Sequence, residues 1–288
     1  MKSGVRQSSV LSPALFNVFI NVFIYELKLC NFGCKMRGVF VGVIMYADDL
    51  LLLSATVDGL QRMLNCCKEL SSKALINFNC KKSTCVKIGP ANKCLISDMK
   101  LGNDYISWSN SFKYLGVVFS VGKKLSVDVS AIKQKFYASC NCILTQAKCM
   151  VDLVKLQLLE SYCLPILSYA TAAMKLSNEQ LSELNAAWNS AYRRIFGFNK
   201  WESVRQFIGG LGRLDFTHIR VNLRLKFYKT SLTCGNNSFE NVMKSHFFSD
   251  DFRKLCFESG IDNMNYINFS KLPFGYLRNC VHQVFSNA

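Results

Sequence analysis

The sequence has little histidine, little proline and few acidic residues, and each shortage excludes a class of protein. Among 288 residues there are 3 histidines, 4 prolines and 19 Asp or Glu, against 35 Lys or Arg. So little proline excludes a proline-rich stalk, and a hydrophobic fraction of 50% excludes disorder along the whole chain. The net charge of +16 indicates a polyanionic partner: nucleic acid first, an anionic membrane surface second. At this length we expect two or three structural units.

Cysteine is abundant, but its positions favour neither a disulfide framework nor a zinc site. The 14 cysteines are scattered over a long chain, and Cys66, Cys67 and Cys163 lie within apolar runs. We therefore predict free thiols in a reducing compartment. A zinc site needs paired ligands at regular spacings, whereas Cys30 and Cys34 have no second pair and the few histidines supply no partners.

The long apolar stretches do not predict membrane spans. Residues 10–27 follow two basic residues, as in a signal peptide, but Pro13 and two asparagines interrupt the stretch and no cleavage site follows. Residues 39–53 have Asp48 and Asp49 at their centre, and two carboxylates would be prohibitive in a bilayer. We predict that both stretches are core, in a protein that is neither secreted nor inserted in a membrane.

The N-terminal part of the sequence alternates helix and strand. Apolar residues at helical spacing predict a helix over 9–27, with Ser12 as its cap and Pro13 at its first position. A hairpin of strands 39–46 and 50–54 follows, with two carboxylates at its turn. Further predicted elements are a helix over 56–74 and strands over 84–88 and 112–119. This alternation predicts an α+β layer.

From about residue 120 the pattern becomes helical. The predicted helices cover residues 127–144, 151–164, 179–196 and 217–232. The third begins with a capping box at Ser177 and Gln180. Residues 209–212, rich in glycine, predict a turn. Beyond Cys234 the periodicity weakens to a polar tail dotted with aromatic residues.

The most informative segment is Tyr46-Ala47-Asp48-Asp49, between two apolar strands. Its adjacent carboxylates repel one another, and no neighbouring Lys or Arg compensates them. A divalent cation with oxygen ligands would relieve the repulsion, and Mg²⁺ typically takes one or two carboxylates plus substrate phosphates. The alternative is an ordinary exposed turn, and the tetrapeptide by itself does not decide between the two.

Three further segments accompany this turn in a fixed order. They are GVRQSSVLSPALFN at residues 4–17, NCKKS at 79–83 and FKYLGV at 112–117. Together with the turn they closely resemble the reverse transcriptase domain of non-LTR (LINE-type) retrotransposons, with its "GVRQGSVLSPxLFN", "YADD", "NxxKS" and "YLGV" segments. Residues 162–165 and 191–196 are similar to the thumb of that family and the stretch after it. The resemblance covers roughly residues 1–232.

The resemblance implies a role for each matching residue. Asp48 would be a ligand of the catalytic Mg²⁺ ions, with Asp49 as its accessory neighbour. Lys82, or else Lys81, matches the lysine that assists the departure of pyrophosphate. The implied nucleotide or template contacts fall on Gln7, Ser9, Pro13 and Tyr46, and the implied primer grip on Leu115 and Gly116. Phosphoryl transfer needs such metal ligands and such a cation, although Lys82 also fits a solvated surface and residues 115–116 a plain turn.

The resemblance also implies an activity and its partners. It implies an intracellular RNA-directed DNA polymerase, in cytoplasm and nucleus, that uses Mg²⁺, deoxynucleoside triphosphates, an RNA template and a DNA primer or RNA–DNA hybrid. Two departures lead us to expect an inactive isolated chain. The family's other metal-binding aspartate lies upstream of the first block, where only three residues precede Gly4, and Ser8 replaces a glycine that allows close backbone approach. We expect a truncated copy or an incomplete gene model.

Positive charge is concentrated between residues 185 and 229. This segment holds nine Lys or Arg against Glu202 and Asp215, and its aromatic residues fit stacking beside a phosphate backbone. The predicted nucleic-acid contacts are Arg193, Arg194, Arg220 and Arg224, the last two sharing a helix face. For any single residue a solvated helix surface is the simpler interpretation; for the surface as a whole we favour nucleic-acid binding.

We therefore predict an α+β fold that begins with an incomplete polymerase palm of antiparallel hairpins and helices. The palm covers residues 1–120, a helical thumb 121–200 and a basic helical extension 201–288. Two other interpretations stay open: a catalytically dead remnant that binds RNA or an RNA–DNA hybrid, and a product without a stable fold, because an open hairpin edge would aggregate. The sequence assigns no function to residues 233–288 and no oligomeric state.

Overall fold

The fold is seen in a computed structural model that describes residues 10–74, 76–236, 239, 242–243, 245–261 and 264–287. It is α+β, with helices and small antiparallel sheets. Two compact units divide the chain, the first formed mainly by residues up to Asn110 and the second mainly by residues from Ser111 on. Among the described helices, none combines the length and apolar character that crossing a bilayer requires. Gln7 and Ser9 lie outside the described residues.

The first unit combines helices with short hairpins. Its elements are α1 (Ser12–Leu29), β1 (Lys35–Met36), β2 (Val39–Phe40), β3 (Val43–Tyr46), β4 (Asp49–Leu52), α2 (Val57–Ala74), β5 (Met99–Leu101) and β6 (Asp104–Ile106). The antiparallel pairs are β1 with β2, β3 with β4, and β5 with β6. In the second pair Val43 lies opposite Leu52, and Tyr46 opposite Asp49.

One apolar core holds the first unit together. It contains Ile20, Phe23 and Leu27 of α1, Leu64 and Cys67 of α2, and Met99, Leu101 and Ile106 of the β5–β6 hairpin. Half-buried Val43, Met45 and Leu50 pack against this core from the β3–β4 hairpin. Burial of apolar side chains from both strands therefore anchors that hairpin, while its tip stays in solvent.

Three details of the first unit differ from the prediction. The strand expected over 84–88 is a single bridge between Cys85 and Trp108. No strand is predicted between residues 89 and 111, yet the β5–β6 hairpin lies there, with Gly102 in its tight turn at a φ of +66°. The N-cap of α1 is Leu11 without a side-chain cap, so Ser12 is the first helical residue instead of the cap.

The second unit begins with a three-stranded antiparallel sheet and continues as helices. Its strands are β7 (Ser111–Tyr114), β8 (Val117–Val121) and β9 (Leu125–Val127). Its helices are α3 (Val129–Gln146), α4 (Asp152–Tyr162), α5 (Leu164–Ser168), α6 (Asn178–Phe196), α7 (Arg205–Gly210), α8 (Phe216–Thr233), α9 (His246–Glu258), α10 (Tyr266–Lys271) and α11 (Phe274–Asn287). The strand predicted over 112–119 is thus a hairpin, with its turn at Leu115-Gly116.

The core of the second unit includes the C-terminal residues. Helix α6 begins with the predicted capping box and buries Trp188 and Tyr192. The prediction of a polar tail beyond Cys234 is wrong, because α9, α10 and α11 bury residues such as Phe252, Phe269 and Val281. Phe252 and Phe269 meet edge to face with ring centroids 4.9 Å apart. Aromatic side chains from two short helices meet in this core, and α11 adds Leu277, Val281 and Phe285 at helical spacing.

Candidate active site and nucleic-acid interface

Residues 46–49, here called the aspartate turn, form the tip of the β3–β4 hairpin. Tyr46 pairs with Asp49, so Ala47 and Asp48 are the two residues of a tight turn. Ala47 has a φ of +50°, a left-handed value that costs a residue with a side chain roughly 1–2 kcal/mol. All four residues are exposed. The half-buried hairpin strands hold the turn in this strained shape and present both carboxylates to solvent.

The side chains of the aspartate turn are suited to binding a hard cation. Asp48 and Asp49 offer only carboxylate oxygens, which are the donors that Mg²⁺ prefers. Within the described part of the chain, no hydrogen bond or ion pair neutralises either side chain. In the same residues no third His, Cys, Asp or Glu joins them to form a metal-binding group. The turn therefore fits part of a divalent-cation site.

Lys82 lies in an exposed turn that Asn79 organises. The backbone N–H of Lys82 donates to the carbonyl oxygen of Asn79 at 3.1 Å and to its Oδ1 at 3.2 Å. The hydroxyl of Ser83 donates to the same carbonyl at 2.9 Å. Lys81 and Lys82 both point into solvent at this turn. The polar ends of the NCKKS segment thus serve as local turn anchors, which the sequence analysis did not foresee.

The remaining predicted contacts of the first unit are also accessible. Pro13 is exposed in the first turn of α1, and the side chain of Tyr46 is 64% exposed. No hydrogen bond or ion pair that the structure describes links Lys82 to Asp48 or Asp49. Solvent-exposed residues of this kind are free to contact a substrate, but their own interactions do not bring them together.

The β7–β8 turn has a partner that the sequence analysis missed. Leu115 and Gly116 have φ values of +45° and +82°, as in the two-residue turns that suit hairpins. The hydroxyl of Tyr169 donates to the carbonyl oxygen of Leu115 at 2.8 Å. Its ring would also lie 3.6 Å from a Cβ at Gly116. Tyr169 is 54 residues away from Leu115 along the chain, so no local pattern could indicate this contact.

Arg193 and Arg194 end helix α6, where positive charge complements the helix dipole. The Nε of Arg193 donates to the carbonyl oxygen of Glu202 at 2.9 Å, so part of this side chain is used within the protein. Arg194 is exposed. Of the two, Arg194 is the more accessible to a phosphate group.

Arg220 and Arg224 are buried, with exposed fractions of 6% and 7%, which corrects their prediction as contacts to a nucleic-acid backbone. Arg220 donates to the carbonyl oxygens of Thr171 at 3.2 Å and Met174 at 2.9 Å. Burial and the positive charge of Arg224 together lower the pKa of Arg220 to about 10. The two arginines do share a helix face, but that face packs inside the unit.

Asp251 of α9 is the internal partner of Arg224. The same carboxylate accepts a hydrogen bond from the hydroxyl of Tyr228 at 2.6 Å. Burial and this hydrogen bond both raise the pKa of Tyr228. The cluster therefore ties α8 to α9, and a helical-face pattern alone cannot show that the opposing helix carries an acid.

Comparisons with known proteins place the aspartate turn within a matched region. Residues 1–119 match the family model "Reverse transcriptase (RNA-dependent DNA polymerase)". The Pol polyprotein from the type-1 retrotransposable element R2 of Nasonia vitripennis is 30% identical over 136 residues, 44% of this chain and 13% of that protein. Its R2DM counterpart in Drosophila melanogaster is 28% identical over 127 residues, 41% of this chain and 12% of that protein.

A third relative extends the similarity into the helical part of the chain. The R2 Pol polyprotein of Popillia japonica is 24% identical over 254 residues, which are 83% of this chain and 40% of that protein. The chain thus spans less than half the length of each of these relatives.

Proposed function

Residues 1–119 carry part of a reverse transcriptase domain of the non-LTR retrotransposon type, and from this premise we propose that the chain supplies the metal-binding turn of an RNA-directed DNA polymerase. One observation carries the proposal. The aspartate turn sets two adjacent carboxylates in solvent at the tip of a half-buried hairpin, and it lies within the residues that match the family. The proposed partners are an RNA template, a DNA primer and deoxynucleoside triphosphates.

In this role each side chain has a defined task. Asp48 holds the divalent cation, and Asp49 adds negative charge beside it. Mg²⁺ bound there would neutralise charge on the phosphates of the substrate. Tyr46 lines the primer end, while Lys82 takes up charge on the departing pyrophosphate. The further proposed contacts are Gln7, Ser9 and Pro13 for nucleotide and template, and Leu115 and Gly116 for the primer.

We propose the palm, thumb and extension at residues 1–120, 121–200 and 201–288. The unit boundary near residue 110 and the run of helices from residue 129 support a change of architecture close to the first of these two boundaries. We also propose that the isolated chain does not extend a primer. Two neighbouring carboxylates on one turn give few ligands for two metal ions that must clamp both the attacking and the leaving oxygen.

A luminescent cation tests the metal role without requiring activity. Tb³⁺ is a hard cation whose emission is sensitised by a nearby tyrosine, and Tyr46 precedes the carboxylates. We expect Tb³⁺ emission that Mg²⁺ competes away, that Asp48→Asn abolishes, and that Asp98→Asn leaves unchanged, because Asp98 is an exposed aspartate outside the turn. Equal emission from the Asp48→Asn variant and the unsubstituted chain would disprove metal binding at this turn.

Primer extension tests the polymerase role. The assay uses the purified chain, a labelled DNA primer on an RNA template, deoxynucleoside triphosphates and Mg²⁺. We expect no extension by the isolated chain. Mg²⁺-dependent extension that Asp48→Ala abolishes would overturn the proposed inactivity and would establish the polymerase in this chain itself.

Exposed Arg194 favours a second candidate function, the binding of an RNA–DNA hybrid without catalysis. Fluorescence anisotropy with a labelled hybrid tests it. We expect the Arg193→Gln/Arg194→Gln double variant to weaken binding, whereas Arg253→Gln, which removes a cation that is 73% exposed on α9, has little effect. Unchanged affinity in the double variant would exclude these arginines from the interface.

A further inference from the structure

The second unit contains a pocket of about 390 Å³ that none of the sites above uses. Its lining comes from α4, the first residue of α5, the segment before α8, α8 itself and α11. Leu214, Leu223 and Leu277 form an apolar floor, and Leu214 and Leu277 are 7% and 2% exposed. The exposed cations Arg213, Lys226 and Arg278 also line it. The pocket therefore has an apolar floor and a basic rim.

Within the described part of the chain, one of the three rim cations has a counter-ion. The Nε of Arg213 pairs with Oε1 of Glu160 at 2.8 Å, so one cation has its counter-ion. Lys226 and Arg278 form no ion pair with any residue that the structure describes. His282 adds no further charge at neutral pH, because burial lowers its pKa and Arg278 lowers it further. Two uncompensated cations beside one paired acid favour an anionic ligand.

The size and the other side chains of the pocket select the kind of anion. A volume near 400 Å³ is in the range of small-molecule sites and is too small for a duplex. The floor suits a flat apolar ring, and half-buried Asn222 offers an amide donor and acceptor at the wall. Phe274, 44% exposed, adds an aromatic ring of the kind on which unpaired bases stack, and Nζ of Lys229 lies 4.8 Å from its centroid.

We propose that this pocket binds one unpaired nucleotide of a nucleic-acid strand, with the base against the Leu214–Leu277 floor and the phosphate between Lys226 and Arg278. The proposal rests on the nucleic-acid substrate of the proposed function, and it adds a single-stranded site within the helical unit. A free nucleotide has the same base and phosphate chemistry, so the experiment includes both sources.

Two variants test the pocket by different physical means. The probe is a 5′-fluorescein-labelled, ten-nucleotide oligo(A) RNA, and binding is followed by anisotropy. Lys226→Gln/Arg278→Gln removes the phosphate contacts, whereas Leu223→Trp fills the floor and keeps the charge. The matched control, Arg253→Gln/Lys271→Gln, removes two exposed cations of the same unit outside the pocket. We expect each pocket variant to weaken binding about tenfold, since one stacked base contributes roughly 1–3 kcal/mol, and the control to change it less than twofold.

Competition separates a nucleotide site from a simple phosphate site. AMP should displace the oligo(A) probe, and ribose 5-phosphate should not. Equal competition by the two compounds would overturn the nucleotide assignment, as would normal binding by a folded Leu223→Trp variant. If the control double variant weakened oligo(A) binding as much as the pocket variants do, the binding would be unspecific charge attraction and the pocket proposal would be rejected. Circular dichroism melts of all variants establish that each is folded.

The same variants distinguish failure of the pocket from failure of the polymerase assignment. A blunt RNA–DNA hybrid has no unpaired nucleotide, so we expect the pocket variants to bind it as the unsubstituted chain does. Absence of Tb³⁺ binding at the aspartate turn would count against the proposed function and would not affect the pocket proposal. Intact hybrid binding together with no oligo(A) binding would reject the pocket and leave the polymerase assignment standing.

Discussion

At the scale of single residues, the tips of the β3–β4 and β7–β8 hairpins each hold a residue with a side chain in the left-handed region, as Arg37 does at the tip of the β1–β2 hairpin. Ala47 has a φ of +50° and Leu115 a φ of +45°. Each lies in a turn for which the sequence analysis proposed a functional role. Since glycine adopts this conformation without a penalty, the fold is less stable with Ala47 and Leu115 at these positions than it would be with glycine, and the tip geometry is kept at that cost. The shape of the aspartate turn is thus held by the strands beneath it.

Replacement of Ala47 measures the strain in the aspartate turn. We expect Ala47→Gly to raise the free energy of unfolding by up to about 1 kcal/mol, because it relieves a left-handed conformation. Ala55→Gly is the control, since Ala55 is exposed in the same unit and is not among the residues of positive φ. It should lower stability by a few tenths of a kcal/mol through the entropy of the unfolded chain. Urea unfolding measures both, and equal signs for the two substitutions would contradict strain at Ala47.

The buried arginines give a second prediction at the residue scale. Arg224→Met leaves Asp251 half-buried without its cation, so we expect a loss of about 3 kcal/mol of stability. Arg253→Met removes the partner of Asp250 from a pair that is 73% and 52% exposed, and it should cost less than about 0.5 kcal/mol. Thermal unfolding of both variants decides the point. Similar small losses would mean that the Arg224 pair does not hold α8 to α9.

At the scale of elements, local signals in the sequence located most helices and the central hairpin. The capping box of Ser177 and Gln180 was confirmed because both of its hydrogen bonds form within one turn. Features that depend on distant residues were missed. The contact of Tyr169 with Leu115 and the burial of Phe269 both require tertiary packing. The strained geometry of the aspartate turn also depends on tertiary packing, so the sequence indicated its residue types but did not indicate its shape.

The N-cap of α8 gives a pH-dependent prediction at this scale. Oδ1 of Asp215 accepts a hydrogen bond from the backbone N–H of His218 at 2.9 Å, and Nδ1 of that ring lies 2.6 Å away. Burial alone would raise the pKa of Asp215, but the hydrogen bonds from His218, together with nearby positive charge such as Arg205, hold this pKa below its usual value of 3.8. The ionised carboxylate therefore contributes stability above about pH 4, which is lost as the pH falls through the lowered pKa.

Asp215→Asn tests this contribution, since asparagine keeps the cap acceptor and removes the charge. We expect the variant to be less stable by about 1 kcal/mol at pH 7 and the difference to shrink below pH 4. Asp58→Asn, at a side chain 75% exposed, should show little difference at either pH. Urea unfolding across pH 2.5–7 provides the measurement. A difference that stays constant with pH would show that the charge of Asp215 does not stabilise the fold.

At the scale of the whole molecule, the net charge of +16 overstates what a ligand meets. Arg220 and Arg224 are inside the second unit, and Arg224 is paired with Asp251. Arg213 is paired with Glu160, and part of Arg193 bonds to the backbone at Glu202. The positive charge left for nucleic acid in this region therefore comes from fewer residues than the sequence suggests, with Arg194, Lys226 and Arg278 among them. A count of basic residues cannot separate exposed cations from cations that are buried or paired within the fold, because the two kinds are identical in the sequence.

The salt dependence of binding separates these two kinds of cation. Each phosphate neutralised on a nucleic acid releases counter-ions, so losing one such contact lowers the slope of log affinity against log salt by about 1. For an RNA–DNA hybrid we expect Arg194→Gln to lower the slope by that amount, while Arg194→Lys keeps the charge and the slope. Arg220→Gln should leave the slope unchanged, because its side chain is 6% exposed and bonds to two carbonyl groups. A lower slope in Arg220→Gln at full folding would mean that α8 opens to bind nucleic acid, and an unchanged slope in Arg194→Gln would move the interface away from the end of α6.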